Sequence, residues 1–241
     1  MSIEPLVFSV NHIVSDIVIK FPKASDYFRD HKIDFCCGGK RPLVEAVQER
    51  GLDIDQVLEE LHYLAANHSG MNDDIDGMNH FVEMDSPSLI QYIVSKHHDY
   101  LRKELPEVYK NVARVNQVHG DHDLHLAQLY VLYTKLKDEL LEHTTNEEDQ
   151  IFPRMVDQDQ SFEQSAQQGL YDSIVGLEDE HDKAGNILKE IRELTNDFTP
   201  PAHACTTYRI TYERLAEIEH MTFEHVHLEN NILFPRYQVR F

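Results

Sequence analysis

The sequence predicts an all-α protein, with an up-down four-helix bundle over residues 85–241 preceded by a small helical domain. Apolar residues recur at every third or fourth position in four long segments after residue 85, as in helices buried on one face. The alternation of period two that marks half-buried strands does not occur in them. Four long helices joined by loops pack as a bundle.

The N-terminal part differs in pattern from the rest. Residues 1–66 are expected to form short helices separated by turns, with Gly51 as a C-terminal stop signal. The predicted helices cover residues 22–31, 43–50 and 56–66. Residues 67–84 are rich in Gly, Asn and Asp and lack periodicity, which indicates a linker. The predicted organisation is a small domain over 1–66, a linker over 67–84 and the bundle over 85–241.

The first bundle helix begins at Ser86-Pro87, a favourable N-cap followed by a proline at the first helical position, and Pro106 should kink it. The other three follow in order. Their apolar stripes run from Leu129 to Ile151, from Leu170 to Ile191 and from Leu215 to Ile232.

A motif occurs twice in these stripes. His143 and Glu147 are followed by Phe-Pro-Arg, and 82 residues later His225 and Glu229 precede the same tripeptide in the same register. Residues four apart lie on one helical face, so each copy directs an imidazole and a carboxylate at one spot. The Phe-Pro-Arg sequences are expected to mark the ends of the two helices.

The repeat extends to the preceding helices. His98-Asp99 lies 45 residues before His143, and His181-Asp182 lies 44 residues before His225. His97 also fits the stripe of the first helix, but the match with His181-Asp182 selects His98. The repeating unit is a helical hairpin, and two hairpins would be related by an approximate twofold axis.

The stripe positions carry four His and two Glu, which a core normally rejects because a buried, unpartnered carboxylate is costly. One alternative is a His–Glu network that satisfies itself by hydrogen bonds. A duplicated set that converges from four helices favours a dinuclear metal site. Imidazole with carboxylate suits iron, manganese, zinc or copper, and bridging carboxylates with open coordination positions suit redox-active iron. Structural zinc would close its shell with four ligands.

The turn that contains Cys36, Cys37, Gly38 and Gly39 is a second candidate site. Adjacent cysteines form only a strained disulfide, so a structural staple is not expected. The helix that follows, with Lys40 and Arg41, is expected to lower the thiol pKa. The roles open to the pair are redox chemistry, metal transfer or binding of a small iron species, and the alternative is two small residues in a tight turn. Cys205 is expected to be a packed or idle thiol.

Four further histidines are predicted to be surface or loop residues. They are His119, His122, His125 and His227. His227 lies two positions from His225 and therefore points away from the predicted metal.

Composition narrows the class of partner. A formal net charge of −21 argues against nucleic acid or an anionic membrane, because both require a basic surface. Three cysteines do not form a disulfide framework, the N-terminus lacks the pattern of a signal peptide, and no apolar run reaches the length of a membrane span. A cytoplasmic location is expected.

Together the motifs closely resemble the repair-of-iron-centres (RIC) family, which has a ScdA-type N-terminal domain and a hemerythrin-like di-iron domain. The resemblance covers nearly the whole chain. It rests on the Ile-Asp-Phe-Cys-Cys-Gly-Gly-Lys turn, the two hairpins, Glu180-His-Asp-Lys-Ala-Gly185, Thr199-Pro-Pro201, Ala204-Cys-Thr-Thr207 and Leu228-Glu-Asn-Asn-Ile-Leu-Phe-Pro235. It implies two non-haem irons, carboxylate-bridged and oxo-bridged, held by His98, His143, Glu147, His181, His225 and Glu229. Oxygen-carrying hemerythrins have five His ligands, which argues against oxygen carriage here.

The resemblance also implies a function, the repair of iron–sulfur clusters damaged by nitrosative or oxidative stress. Donation of iron to damaged client proteins is one route to repair. The alternatives are reduction of nitric oxide to nitrous oxide and non-enzymatic binding of nitric oxide or oxygen by a sensor; the Cys-Cys domain favours repair. Glu178 and Glu180 are candidates for side chains that support the metal ligands or line an iron path, with solvated surface as the default for Glu180. A homodimer is compatible with the family.

Overall fold

The computed structural model describes residues 6–68, 78–160 and 164–238, and every regular element within these ranges is helical. The one β contact among them is an isolated bridge between Ile13 and Pro42. The all-α fold class is therefore confirmed. In the described parts of the chain, no helix has both the length and the hydropathy that crossing a bilayer requires.

The chain divides into two units. One contains the N-terminal segment to Asp85 together with His227–Pro235, and the other contains Ser86–Val226 and the residues from Arg236 onward. The final turns of the last helix are thus grouped with the N-terminal segment.

Among its described residues, the first unit contains five short helices: α1 (Val14–Lys20), α2 (Ala24–Asp30), α3 (Leu43–Glu49), α4 (Ile54–His68) and α5 (Asn79–Glu83). Its core includes Phe28, Leu43 and Leu61, all without solvent exposure. Helix α1 was not predicted, because its run of β-branched residues has low helix propensity and is stabilised here by burial. Helix α5 and the end of α4 lie in the predicted linker, whose residues 69–77 fall outside the described residues.

The second unit contains α6 (Ser86–Ile93), α7 (Asp99–His119), α8 (His125–Asn146), α9 (Phe152–Gln160), α10 (Gln164–Leu194) and α11 (Thr206–Leu228), the last continuing into the first unit. Helices α6 and α7 are joined by the π-helical turn Val94–His98, and α8 and α9 by the π-helical turn Glu147–Ile151. A third π-helical turn, Glu229–Leu233, extends α11.

The helical segments that contain the two Phe-Pro-Arg sequences end differently. The expectation that both tripeptides mark helix ends is wrong for the first. After Ile151 the chain continues helically as α9, and Pro153 is the second residue of that helix. Pro153 directly follows a π-helical turn, where the regular backbone hydrogen bonding is already interrupted, so its missing N–H costs less than inside a regular helix. In the second copy, Phe234–Arg236 forms a single 3₁₀ turn that closes the helix.

Candidate metal centre

The three π-helical turns coincide with predicted ligands. His98 is the last residue of the first turn, and Glu147 and Glu229 are the first residues of the second and third. A π-helical turn inserts one residue into a helix and rotates the side chains that follow, and such turns are frequent at functional sites. The hydrophobic period does not reveal such an insertion, so the sequence analysis missed all three.

One group of predicted ligands is formed by His98, Glu147 and His225, together with Glu229. Their potential ligand atoms all lie within 4.8 Å of one another. The Nε2 atoms of His98 and His225 are 3.1 Å apart, and Oε2 of Glu147 lies 3.4 Å from the first and 3.8 Å from the second. None of these side chains has measurable solvent exposure.

A second group is formed by His143, Glu147 and His181, again with Glu229, under the same 4.8 Å limit. The Nε2 atoms of His143 and His181 are 2.9 Å apart, and Oε2 of Glu147 lies 3.3 Å from Nε2 of His143. Each group therefore has two imidazoles of its own, and the two groups share the same two carboxylates. All six residues predicted from the repeat are brought together.

The environment of Glu147 tests whether a cation fits this arrangement. Within the described residues its two carboxylate oxygens are fully buried and accept no hydrogen bond. A carboxylate transferred to such a place without compensation costs several kcal/mol (about 2–7 even for a neutral polar group). Two ligand atoms that bind one transition metal at about 2.1 Å each lie about 3 Å apart, which is close to the Nε2–Oε2 separations of His98 and His143. The donor set fits bound metal cations.

Two further carboxylates contact the Nδ1 atoms of two of the imidazoles, while Nε2 of each ring faces the other predicted ligands. Nδ1 of His98 lies 2.9 Å from the carboxylate of Glu148, and Nδ1 of His143 lies 2.8 Å from that of Glu180. An Nδ1–H that donates to a carboxylate leaves Nε2 as a lone pair for a metal. Partial burial raises the pKa of Glu148, but the hydrogen bonds from His98 and Arg102 bring it below its ordinary value. The hydrogen bond from His143 likewise lowers the pKa of Glu180.

Of the two glutamates before His181, Glu178 and Glu180, the structure brings Glu180 to a predicted ligand. The carboxylate of Glu178 accepts a hydrogen bond from the Gln238 side chain at 2.9 Å. Glu148 was not identified from the sequence. Its position directly after Glu147 gave no signal, because adjacent residues normally face different sides of a helix.

Replacing Glu180 by Gln tests the supporting role of this carboxylate. We expect metal affinity to fall about 10- to 100-fold, because loss of a carboxylate partner weakens a metal-binding imidazole by that amount. Competition with a chromophoric chelator measures the change. Glu178→Gln is the matched control and should keep the wild-type affinity; an equal loss in both variants would contradict the assignment.

The other histidines divide into buried and peripheral ones. His97 is fully buried and its ring lies parallel to that of His225 at 5.9 Å, but it belongs to neither group. His227 is also fully buried, so the prediction that it is a surface residue is wrong. His119 lies 3.3 Å from the exposed thiol of Cys205, and His125 lies 2.8 Å from the hydroxyl of Tyr212.

The Cys36–Cys37 turn lies in the first unit. One oxygen of Asp34 accepts hydrogen bonds from the backbone N–H groups of Cys36, Cys37 and Gly38 at 3.0–3.2 Å. The expectation of a lowered thiol pKa is wrong for Cys36. Its hydrogen bond to Cys37, its burial and the charge of Asp34 all raise the pKa of its thiol well above the ordinary value.

Two family models match the chain and together span most of it. Residues 10–65 match the ScdA_N domain, described as a domain of unknown function. Residues 89–237 match the hemerythrin HHE cation binding domain. The second match contains every residue of the two groups described above.

Three similar proteins cover almost the full length of the chain. The iron-sulfur cluster repair protein ScdA of Staphylococcus haemolyticus is 37% identical, over 93% of this chain and 97% of its own length. The ScdA protein of Staphylococcus epidermidis is 34% identical, over 93% and 96%. The iron-sulfur cluster repair protein YtfE of Yersinia pseudotuberculosis is 34% identical, over 94% and 96%.

Proposed function

Because this chain belongs to the family of iron-sulfur cluster repair proteins that includes ScdA and YtfE, we propose that it repairs clusters by donating iron from a di-iron centre in its helical bundle. The damage to be repaired is that caused by nitric oxide or by reactive oxygen species. The client proteins are iron–sulfur proteins of the cytoplasm.

The observation that carries the proposal is the sharing of Glu147 and Glu229 between two groups of ligand atoms. A carboxylate with two oxygens can bind one ion through each, and two such carboxylates hold two ions side by side. His98 and His225 would be further ligands of one ion, and His143 and His181 further ligands of the other. Iron bound there supplies redox chemistry and open coordination positions for a small ligand.

The chain's own residues control the protons of this centre. Glu148 and Glu180 keep the Nδ1 protons of His98 and His143 in place, so that Nε2 of each ring is available to a cation. Protonation of the two outer carboxylates would weaken this hold. Because their pKa values are lowered, both stay ionised through neutral pH and below it.

A surface cleft of about 350 Å³ reaches two of the predicted ligands. His143 and His181 line it and are almost fully buried. Its other charged lining residues are Glu139, Glu142, Glu180 and Lys183. Three carboxylates against one ammonium give the cleft a net negative charge, which favours passage of cations. We propose that iron leaves along this cleft, with Glu180 as its first contact beyond the imidazoles.

Two further assignments belong to the proposal. Cys36 and Cys37 take part in redox steps or in handling iron or nitrosyl groups. A homodimer is the proposed assembly, as expected for the family.

Transfer of labelled iron tests the proposal directly. The full-length protein is loaded with ⁵⁷Fe(II), reduced, and incubated with inorganic sulfide and an apo iron–sulfur protein, either across a dialysis membrane or in direct contact. We expect cluster formation in the client, measured by its absorption and its Mössbauer spectrum, only when the two proteins are in contact. Glu178→Gln, the control variant described above, should transfer iron at the wild-type rate.

The alternatives predict different results in the same samples. Multiple turnovers of nitric oxide to nitrous oxide without loss of iron would replace donation by reductase activity. Stoichiometric binding of nitric oxide with neither turnover nor iron transfer would make the protein a sensor. Either result overturns the proposal.

A further inference from the structure

The first unit contains a third group of potential ligand atoms, formed by Asp34, Cys36 and Cys37, all within 4.8 Å of one another. The two sulfur atoms are 3.7 Å apart, and the Cys36 sulfur lies 3.5 Å from Oδ1 of Asp34. Cys36 is buried, whereas Cys37 and Asp34 are only partly buried. The group is therefore open to solvent on one side.

The backbone of the loop holds this arrangement. Asp34 fixes three successive N–H groups, which curls residues 34–38 around its carboxylate. Gly39 closes the loop, because a Cβ atom there would lie 2.2 Å from the carbonyl oxygen of Phe35. The side chains are thus prearranged by local structure before any ligand binds, which reduces the entropy that binding costs.

The loop is also fixed to the last helix through residues of the same unit. Nδ1 of His227 lies 3.3 Å from the carbonyl oxygen of Phe35, whose ring packs edge-on against the imidazole. The side-chain amide of Asn231 donates to the carbonyl oxygen of Cys36 at 3.1 Å. Glu229 lies between the two anchors in the sequence.

The buried thiol of Cys36 argues against a role as a nucleophile and favours a role as a metal ligand. A buried thiol that keeps its proton is a poor nucleophile, because the thiolate is the reactive form. A metal ion can displace that proton, and its positive charge then compensates both the thiolate and the Asp34 carboxylate. Binding is an exchange in which the cation enters and the thiol protons pass to the solvent, with no change of oxidation state.

We propose that Asp34, Cys36 and Cys37 form a second metal site, distinct from the bundle centre, which binds one divalent transition-metal ion of borderline softness. Two thiolates and one carboxylate suit such an ion better than Mg²⁺ or Ca²⁺, which prefer oxygen alone. Three protein ligands leave at least one coordination position open. An open, partly exposed site suits an ion in transit more than a structural ion.

The role in transit rests on the function proposed above, whereas the site itself does not. In that role, the loop receives or delivers the iron that the protein donates. Its anchors at His227 and Asn231 tie it to the turn that carries Glu229.

Titration with Co²⁺ tests the site, because thiolate–cobalt charge transfer is visible in the near ultraviolet. The full-length protein is used with its bundle centre already loaded with iron, and iron is measured in the same samples. We expect one equivalent of Co²⁺ to bind with charge-transfer intensity while the iron content is unchanged. Cys36→Ser and Cys37→Ser should each weaken binding at least 10-fold. Cys205→Ser is the control and should leave both the band and the affinity unaltered.

Asp34→Asn adds a variant that keeps the shape of the side chain. It should lower Co²⁺ affinity about 10-fold or more with an unchanged circular dichroism spectrum. Absence of the band in the wild type, or its persistence in Cys36→Ser, would overturn the site. If Cys36→Ser loses Co²⁺ but donates ⁵⁷Fe at the wild-type rate, the site stands and the transit role is refuted. Failure of donation in the wild type bears on the proposed function alone.

Discussion

Replacement of Glu147 by Ala is expected to remove metal from both halves of the bundle centre. Oε2 of Glu147 lies between the imidazoles of the two groups, and Glu229 is the other residue that the groups share. Loss of a bridging carboxylate removes one ligand from each ion and one of the two negative charges that compensate them. We expect the purified variant to contain well below one iron per chain, and Glu229→Ala to behave in the same way.

The matched control is Glu219→Gln. Glu219 is as buried as Glu147, but it pairs with Arg192 and belongs to neither group. This variant should lose stability and keep its metal. Two irons retained in Glu147→Ala or in Glu229→Ala would contradict the shared-carboxylate arrangement.

Replacement of Arg192 by Met should cause the largest loss of stability expected for a residue outside the metal centre. Nε of Arg192 donates to Glu219 at 2.8 Å, and the Glu219 carboxylate has almost no exposure. Removing the guanidinium leaves a buried carboxylate without its partner, which costs about 3–5 kcal/mol. Urea unfolding followed by circular dichroism, with metal loading held equal, measures the change in the free energy of unfolding.

The double variant Arg192→Met/Glu219→Met provides the control. Replacing both partners by apolar side chains removes the unpaired charge, so most of the lost stability should return. A double variant as unstable as Arg192→Met alone would show that the loss comes from packing and not from the unpaired carboxylate.

The part of the site that depends on helical periodicity was predictable from sequence. His143 and Glu147 occupy the apolar stripe of one helix, and His225 and Glu229 occupy that of another. A charged residue in such a stripe is unfavourable unless an opposite charge compensates it. The duplication of the His-x-x-x-Glu motif predicted that two metal ions provide this compensation. The structure brings these side chains and the paired residues His98 and His181 to one place.

Features that depend on local register or on neighbours from other segments were not predictable. The π-helical turns change the register by one residue, and nothing in the hydrophobic pattern marks them. From the sequence, Glu178 is favoured over Glu180 as a support for the ligands, whereas in the structure Glu180 contacts the α8 residue His143 and Glu178 contacts Gln238.

Two predictions, one for His227 and one for Cys36, were wrong because of neighbours that the helical period does not reveal. The bundle period turns His227 away from the predicted metal and so predicts exposure to solvent, but the Phe35–Cys36 loop covers it. Cys36 was expected to be an activated thiol because of the basic residues after it. Its sulfur is instead buried beside Asp34 and Cys37, and these neighbours set its pKa.

The most direct test of the central claim is the metal content of the purified protein together with its Mössbauer spectrum. The shared carboxylates Glu147 and Glu229 predict two irons per chain, with the spectrum of a magnetically coupled pair. One iron per chain, two uncoupled irons, or zinc in place of iron would contradict the account.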